Sequence, residues 1–257
     1  MSAELFSLKG KVVVITGATR GIGEGMVTGL AEAGAEIILV HRGATDPSRV
    51  VDKLTKIGAK VHTIAAELEN SDEVKRILPE ALKKSSTGKV DVLVNNAGIT
   101  HRDKVEDYPD EEWDRVINVN LTSLFKLARA FGKYWISNNL KGKIINTASL
   151  YSFFGGLNVA AYTASKGAVH SLTQALSNEW VGKGINVNSI VPGFIKTDMT
   201  DGLKNNPDRL NFVTSRIPVG EFGKPEDFKG PVVFLASAAS DYISGSSTFV
   251  DGGYTAN

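Results

Sequence analysis

The chain has 257 residues, of which 42% are hydrophobic and 22% are charged, a balance typical of a folded domain with a sizeable core. A net charge of +1 favours neither a nucleic-acid partner nor binding to an anionic membrane. The absence of cysteine excludes disulfides, thiolate catalysis and cysteine metal sites, and it is consistent with a reducing compartment. No stretch resembles a signal peptide or a membrane span, so we expect a cytoplasmic protein.

Short apolar runs alternate with amphipathic segments along the whole chain. The runs predicted as strands are 12–16, 37–40, 61–65, 92–95, 144–147, 187–191 and 248–250. The segments predicted as helices include 24–33, 71–84, 111–138 and 161–181. Continuous apolar runs are typical of strands buried on both faces of a parallel sheet. The alternation therefore predicts an α/β fold: a single-domain, doubly wound parallel sheet of about seven strands with helices on both faces.

One segment breaks this alternation. Residues 194–219 are polar and irregular, and they include Gly202, Asn205, Asn206, Pro207 and Pro218. A long irregular insertion in a compact domain is often a lid or a binding loop. Composition alone equally fits a solvated connection. We expect the substrate loop at about 194–219.

A glycine-rich turn follows the first predicted strand. Gly17, Gly21 and Gly23 stand where this strand meets the first helix. Glycine permits a tight turn and lets backbone amides approach a pyrophosphate, to which the helix N-terminus adds favourable partial charge. The alternative is a glycine-rich turn that binds no ligand, and the position of this turn in the first β-α-β unit disfavours it. The turn predicts one dinucleotide-binding domain over residues 1–257.

Further motifs follow this turn in a fixed order. They are Asn95-Asn96-Ala97-Gly98, Asn120, Ser149, Tyr162 with Lys166, and Pro192-Gly193-x-x-x-Thr197. Together with the Thr-Gly-x-x-x-Gly-x-Gly turn they resemble the short-chain dehydrogenase/reductase family, over essentially the whole chain. The resemblance implies a Rossmann-type fold and hydride transfer between a nicotinamide and an alcohol or ketone. The cofactor-binding residues it implies are Gly17, Thr19, Arg20, Gly21, Ile22, Gly23, His41, Arg42, Glu67, Leu68, Asn95, Ala97, Gly98, Tyr162, Lys166, Pro192, Gly193, Ile195 and Thr197.

Four residues form the predicted catalytic group. Tyr162 and Lys166 are four residues apart and share a helix face, so we expect the ammonium to lower the Tyr162 pKa from about 10 and make it a general acid/base. Ser149, just past a strand, can hydrogen-bond the reacting oxygen. The resemblance implies that Lys166 also binds the nicotinamide ribose and that Asn120 helps to hold a water near the lysine.

The end of the second strand bears on the choice of cofactor. An acidic residue there would bind a ribose 2′-hydroxyl, but the chain has His41 and Arg42. The guanidinium of Arg42 can bind a phosphate bidentately, and we expect Arg20 in the glycine-rich turn to approach the same phosphate from the other side. This chemistry favours NADP(H), while NAD(H) stays open because Arg20 also occurs in relatives that use NAD. Glu67 stands where relatives often place an aspartate beside the adenine.

The histidines have no metal-ligand spacing, and no metal is predicted.

The substrate is addressed by a narrower resemblance. Residues 142–146, 152–156, 162–166, 178–180, 216–220 and 231–236 are similar to gluconate and 2-deoxygluconate/ketodeoxygluconate dehydrogenases, which implies a sugar, polyol or sugar acid. The predicted substrate wall is Ser149, Leu150, Tyr151, Phe153, Asn158, Gly193, Phe194 and Met199. A sugar acid needs a cation, for which Arg102 is a candidate, although a solvated position for it is the commoner outcome. The aromatic wall would equally suit a bulkier ketone.

Other functions remain open from sequence. Within enzymes, the alternative is a broad-specificity carbonyl or 3-oxoacyl reductase. From another class, it is a non-catalytic cofactor-binding regulatory protein, which the intact group of Asn120, Ser149, Tyr162 and Lys166 disfavours. The partner is expected to be a small-molecule substrate. The resemblance also implies a homotetramer, with 161–181 and 250–253 as interface candidates.

Overall fold

A computed structural model describes residues 2–202 and 207–256. Seven strands form one sheet in the order β3-β2-β1-β4-β5-β6-β7, and every neighbouring pair is parallel. The strands are β1 (Val12–Thr16), β2 (Glu36–His41), β3 (Val61–Ala65), β4 (Val92–Asn95), β5 (Gly142–Thr147), β6 (Ile185–Pro192) and β7 (Ser247–Val250). The predicted seven-stranded parallel sheet is confirmed, with strand ends that differ by at most two residues.

Helices cover both faces of this sheet. They are α1 (Ser2–Leu5), α2 (Gly21–Glu32), α3 (Ser48–Lys56), α4 (Ser71–Lys84), α5 (Asp110–Ile117), α6 (Ser123–Ser137), α7 (Ala160–Trp180), α8 (Asp198–Asp201), α9 (Pro207–Ser215) and α10 (Lys229–Ala236). Successive strand residues point to opposite faces. Val13 and Ile15 therefore pack with α2, α3 and α10, whereas Val12 and Val14 pack with α4, α6 and α7. The doubly wound architecture follows from this alternation.

The strand order determines where the ligand-binding crevice lies. β1 lies between β2 and β4, so the chain leaves β1 in one direction and returns on its other side at β4. Such a reversal opens a crevice at the carboxyl ends of the strands, where ligands bind in open α/β sheets. The glycine-rich turn after β1 and the segment after β4 meet at this crevice.

Two segments of the structure differ in detail from the prediction. The predicted helix 111–138 is interrupted by a π-helical turn, Asn118–Thr122, which contains Asn120. Such turns are frequent at functional sites.

The segment 194–219 is not wholly irregular, because it contains α8 and α9. Thr197 and Thr200 form a capping box that starts α8, and α9 begins at Pro207, whose fixed φ suits a first helical turn. Asn205 and Asn206 lie outside the described residues. In the described part of the chain, no helix is long and apolar enough to cross a membrane.

Candidate active site

The carboxyl ends of the strands open into a cleft of about 520 Å³, within the range of small-molecule sites. It brings together most of the residues predicted from sequence. Those that line it are Gly17, Thr19, Arg20, Gly21, Ile22, Gly23, His41, Arg42, Glu67, Leu68, Ala97, Gly98, Ser149, Tyr162, Lys166, Pro192, Gly193, Ile195, Thr197 and Met199. One cleft therefore joins the predicted cofactor residues to Ser149, Tyr162 and Lys166.

The glycine-rich turn forms one wall of the cleft. Gly17 has a φ of 67°, and a Cβ there would lie 2.8 Å from Cα of Ala97. This position therefore requires glycine for both its conformation and its close approach. α2 begins at Gly21, and the side chain of Arg20 at its N-cap makes no capping hydrogen bond. The first amides of α2 thus lack a side-chain cap, and a helix end of this kind suits a pyrophosphate.

Asn96, rather than Asn95, serves this wall. Its side-chain Nδ2 donates to the carbonyls of Thr16 at 3.2 Å and Gly17 at 2.9 Å, while Thr16 Oγ1 accepts from the amide of Asn96 at 3.1 Å. Asn95 is the last residue of β4, and its buried side chain instead donates to Asn146 at 3.0 Å. The prediction of Asn95 as a cofactor residue is corrected to its neighbour, because successive side chains at a strand end point in opposite directions.

Ser149, Tyr162 and Lys166 meet at the inner end of the cleft. The hydroxyl of Ser149 faces the phenol of Tyr162 closely enough to lower its pKa through hydrogen bonding. Lys166, one helical turn further along α7, places Nζ 5.6 Å from the Tyr162 ring centroid and donates from it to the carbonyl of Thr147 at 2.6 Å. A phenol, a hydroxyl and an ammonium thus converge where a carbonyl oxygen can be bound.

The pKa values of this group depart from the expectation. Burial raises the pKa of Tyr162, against the opposing effects of the Ser149 hydrogen bond and the Arg102 charge. The net pKa of Tyr162 is therefore raised rather than lowered as expected, and Lys166 is not among the groups that shift it. Burial lowers the pKa of Lys166 itself to about 8. At neutral pH the phenol is protonated and can give a proton to a carbonyl oxygen.

Asn120 lies behind the cleft wall. Its fully buried side chain accepts from the Ile99 amide at 2.8 Å and donates to the Ile99 carbonyl at 2.9 Å. It also donates to Ser165 Oγ at 3.1 Å. A Cβ on Gly98 would lie 3.4 Å from Asn120 Oδ1 and 3.5 Å from Lys166 Nζ. The asparagine thus fixes the loop beside the lysine, and its expected hold on a water stays a prediction.

The opposite end of the cleft carries the basic residues. His41 at the end of β2 and Arg42 directly after it line this end, together with Thr45, which sequence reasoning did not select. Glu67 accepts from the amide of Gly43 at 2.9 Å, so its carboxylate ties down the turn after β2. Arg20 does not approach from the other side as a free cation.

Arg20 instead pairs with Asp198. Its Nη1 lies 2.8 Å from Asp198 Oδ2 at the start of α8. The pair links the glycine-rich turn to the segment after β6, and both residues line the cleft.

The cleft includes only part of the predicted substrate wall. Ser149, Gly193 and Met199 line the cleft among the described residues. Tyr151 stands just outside it, with its ring edge-on to Tyr162 at 6.2 Å between centroids. Leu150 is buried. The remaining predicted residues make contacts elsewhere.

Three residues of the predicted wall do not line the cleft: Phe153, Phe194 and Asn158. Phe153 packs on Phe249, with centroids 5.0 Å apart, and Phe194 packs on Tyr254 at 5.3 Å. The carbonyl of Asn158 accepts from the Asp103 amide at 3.1 Å. The 3-10 turn Leu150–Ser152 separates Ser149 from Phe153, whose ring packs beside β7 instead of lining the cleft.

Several residues that line the cleft were not selected individually from the sequence, although Asn96 belongs to a motif that was. These are Val40, Thr45, Ala66, Glu69, Asn96, Ile99, Thr100, Arg115, Val119, Thr147, Ala148, Asp198 and Thr200. Many lie next to a predicted motif residue, so an expectation extended by one or two positions along each strand end would have found them. Over residues 2–202 and 207–256, no group of His, Asp or Glu has the arrangement of a metal site.

Comparison with known proteins gives consistent matches along the chain. A family profile described as Enoyl-(Acyl carrier protein) reductase matches residues 17–255. A 2-dehydro-3-deoxy-D-gluconate 5-dehydrogenase from Pseudoalteromonas atlantica is 46% identical over 252 residues, covering 98% of each chain. The protein of that name from Escherichia coli is 41% identical over 256 residues, covering 100% of each. A crystal structure of a gluconate 5-dehydrogenase from Burkholderia cenocepacia, in complex with NADP and tartrate, is 33% identical with a TM-score of 0.93, covering 100% of each chain.

Proposed function

The chain belongs to the short-chain dehydrogenase/reductase family, and we propose that it is an NADP(H)-dependent dehydrogenase that interconverts a secondary alcohol and a ketone of a sugar acid. The observation that carries this proposal is the convergence of Ser149, Tyr162 and Lys166 in the cleft that the glycine-rich turn also lines. The phenol, the hydroxyl and the cofactor wall are thus within reach of one bound substrate.

Each residue of the site has a distinct role in this proposal. The nicotinamide, when bound, supplies or accepts the hydride. Tyr162 gives its proton to the carbonyl oxygen during reduction and takes it back during oxidation. Ser149 donates a hydrogen bond to the same oxygen. Lys166 holds a positive charge beside the phenol and would bind the ribose of the cofactor, and Asn120 positions the loop next to that charge through its bonds to Ile99.

Three features support NADP(H) as the cofactor. Arg42 lines the cleft directly after β2, where a carboxylate would repel a 2′-phosphate. The first amides of α2 lack a side-chain cap and face a turn that Gly17 and Asn96 shape, which suits the pyrophosphate that NADP(H) shares with NAD(H). The gluconate 5-dehydrogenase from Burkholderia cenocepacia, similar along its whole length, was solved with NADP. The residues of this chain therefore fit the phosphorylated dinucleotide.

The substrate class rests on charge at the mouth of the site. Burial raises the pKa of both Tyr151 and Tyr162, and the positive charge of the exposed Arg102 opposes this rise at both phenols, which places the guanidinium within electrostatic range of the reacting centre. A carboxylate on the substrate is the group that such a cation binds. The relatives from Pseudoalteromonas atlantica and Escherichia coli bear the name of a sugar-acid dehydrogenase. Arg102 is accordingly assigned to the carboxylate.

Two finer expectations accompany this function. The family resemblance implies a homotetramer, and Phe153 and Phe249 leave apolar area exposed beside the edge strand β7. Light scattering that reports a monomer would contradict this assembly. The cytoplasmic location expected from the sequence stays a prediction.

The function is tested with a panel of ketoses, polyols and sugar acids, assayed with both cofactors through nicotinamide absorbance. We expect turnover of a keto sugar acid with NADPH, and much weaker turnover of the neutral sugar of the same skeleton. Preferred turnover of a bulky neutral ketone or an acyl substrate would instead favour the carbonyl or 3-oxoacyl reductase. Binding of NADPH without turnover of any compound would favour the regulatory protein.

A variant isolates the contribution of the cation. Arg102→Met should raise KM for the sugar acid by about tenfold and leave KM for a neutral substrate unchanged, because only the carboxylate loses a charge-assisted bond. Lys104→Met removes an exposed cation two residues away and is the matched control. An equal rise for both substrate types would refute the assignment.

A further inference from the structure

The serine turn and the catalytic helix are joined by a residue that has no part in the reaction proposed above. Ser152 lies in the 3-10 turn three residues after Ser149 and outside the cleft lining of the described residues. Its Oγ accepts from the amide of Ser149 at 3.3 Å and donates to the carbonyl of Lys166 at 2.6 Å. One hydroxyl thus bridges the backbones of two site residues.

The direction of each bond follows from the chemistry of the groups. The Lys166 carbonyl can only accept, so the single hydroxyl hydrogen of Ser152 goes to it. The Ser149 amide can only donate, so the oxygen of Ser152 receives it. The chain of bonds therefore runs one way, from Ser149 through Ser152 to α7, and it has no alternative arrangement.

The same turn also orients the hydroxyl of Ser149. Its oxygen accepts from the amide of Tyr151 at 3.2 Å, which leaves its own hydrogen free to point at the phenol of Tyr162. This orientation depends on where the turn sits relative to α7. A second link to α7 comes from the segment after the turn, where the Gly156 amide donates to Thr163 Oγ1 over a longer distance of 3.3 Å.

We propose that Ser152 is a positioning residue, which fixes the hydroxyl of Ser149 against Tyr162 by tying the serine turn to the carbonyl of Lys166. The inference rests on the proposed reaction. Within α7, Ser165 donates to the carbonyl of Tyr162 at 2.8 Å and accepts from Asn120. The carbonyls of Tyr162 and Lys166 in the first turns of α7 thus each accept a serine hydroxyl. Of these two serines, Ser152 is the one that also bonds Ser149.

The test compares Ser152→Ala and Ser152→Thr with the wild-type enzyme. Ser152→Ala should lower kcat by about tenfold or more, with unchanged NADPH affinity, because small displacements of reacting groups are costly. Ser152→Thr keeps the hydroxyl and should restore most of the rate. Thr55→Val is the control, since it removes a hydroxyl-to-carbonyl bond within α3 at an exposed position.

A second readout separates positioning from a merely structural role. The Ser149 hydrogen bond lowers the Tyr162 pKa, so its loss in Ser152→Ala should raise that pKa further. The other groups that face Tyr162, which are Lys166, Tyr151 and Arg102, are unchanged by the substitution. Ultraviolet titration of the phenols, taken as the difference from Tyr162→Phe, measures this pKa without any turnover.

The outcomes divide cleanly. An unchanged Tyr162 titration in Ser152→Ala overturns the inference, as does equal impairment of Ser152→Ala and Ser152→Thr. If Ser152→Ala does not fold, Ser152→Cys takes its place, because a thiol keeps the size with a weaker hydrogen bond. Failure of the proposed function shows instead as a wild-type enzyme without turnover, whatever the titration reports.

Discussion

The Nζ atom of Lys166 donates to the carbonyl oxygen of Thr147 at 2.6 Å. This bond joins α7 to the carboxyl end of β5 and holds the ammonium in a buried position, where only 3% of the lysine is exposed. Burial disfavours the charged form, so the pKa of Lys166 falls from its usual 10.5 to about 8. Lys166, which carries the positive charge of the site, therefore also lowers the stability of the fold.

The first prediction concerns this cost. Because the pKa of Lys166 is lower in the folded chain, folding is opposed while the lysine is protonated in both states. The shift from 10.5 to about 8 corresponds to about 3 kcal/mol below pH 8, and the cost disappears as the pH rises from about 8 to about 10.5. The wild-type free energy of unfolding should therefore gain relative to that of Lys166→Met across this window, as measured by denaturant titration at each pH.

The control for this prediction is Lys133→Met, which removes an exposed lysine from α6. Its difference from the wild type should stay the same across the window. Lys166→Met should also lose activity, which would show that stability is given up for function at this position. A pH-independent difference between the wild type and Lys166→Met would contradict the buried-charge explanation.

Removal of the Tyr162 hydroxyl tests the proton transfer. Tyr162→Phe keeps the ring that packs edge-on against Tyr151, so NADPH binding should be unchanged in a fluorescence titration. The proton donor is lost, and kcat should fall by about a hundredfold or more. Tyr134→Phe on α6 makes the same change outside the cleft and should keep full activity. Near-normal turnover by Tyr162→Phe would remove Tyr162 from the mechanism.

The raised pKa of Tyr162 predicts opposite pH profiles for the two reaction directions. Reduction needs the protonated phenol, so its kcat should hold through neutral pH. Oxidation needs the phenolate, so its kcat should climb with pH from neutrality into the alkaline range. Initial rates in each direction at saturating substrate measure both profiles. An oxidation rate that is independent of pH would show that Tyr162 does not set it.

The fold was largely predictable because its strands are short runs of buried β-branched residues and its helices have a clear apolar period. The π turn Asn118–Thr122 was not predictable, because one extra residue in a helical turn leaves the apolar period almost unchanged. The short helix α8 was missed for a related reason. It depends on a capping box between Thr197 and Thr200, which is too local to produce periodicity.

The site was predictable where side-chain type and spacing define it. Tyr162, Lys166 and Ser149 have a characteristic separation, and the structure brings them together. The partner of Lys166 is a backbone carbonyl, and any residue at position 147 would present one. Phe153 was selected because it lies near Ser149 in sequence, but a 3-10 turn intervenes and its ring packs beside β7. Direction after a tight turn cannot be inferred from composition.

The preference for NADP(H) depends on Arg42. Arg42→Asp should lower kcat/KM for NADPH by about a hundredfold relative to NADH, because a favourable charge on the 2′-phosphate becomes a repulsive one. Rates with each cofactor at a fixed substrate concentration measure this ratio. Arg129→Asp makes the same charge change on α6, away from the cleft lining, and should leave the ratio unchanged. Equal losses with both cofactors would place the 2′-phosphate elsewhere.

The ion pair between Arg20 and Asp198 predicts an effect on the cofactor rather than on the fold. The atoms are 2.8 Å apart, but the two side chains are 66% and 69% exposed, and such pairs contribute little stability. Both residues line the cleft, so the Asp198 carboxylate opposes a bound phosphate and occupies Arg20 at the same time. Asp198→Asn should therefore tighten NADPH binding about twofold to fivefold at low ionic strength, with an unchanged melting temperature.

This gain should shrink at high ionic strength, because exposed charges are screened. A double-mutant cycle with Arg20→Ala separates the two causes. If release of Arg20 is responsible, Asp198→Asn should have little effect on NADPH affinity once Arg20 is absent. If repulsion by the carboxylate is responsible, the gain should persist in that background. Weaker NADPH binding by Asp198→Asn alone would show that the pair supports the bound state, since both explanations require the affinity to rise.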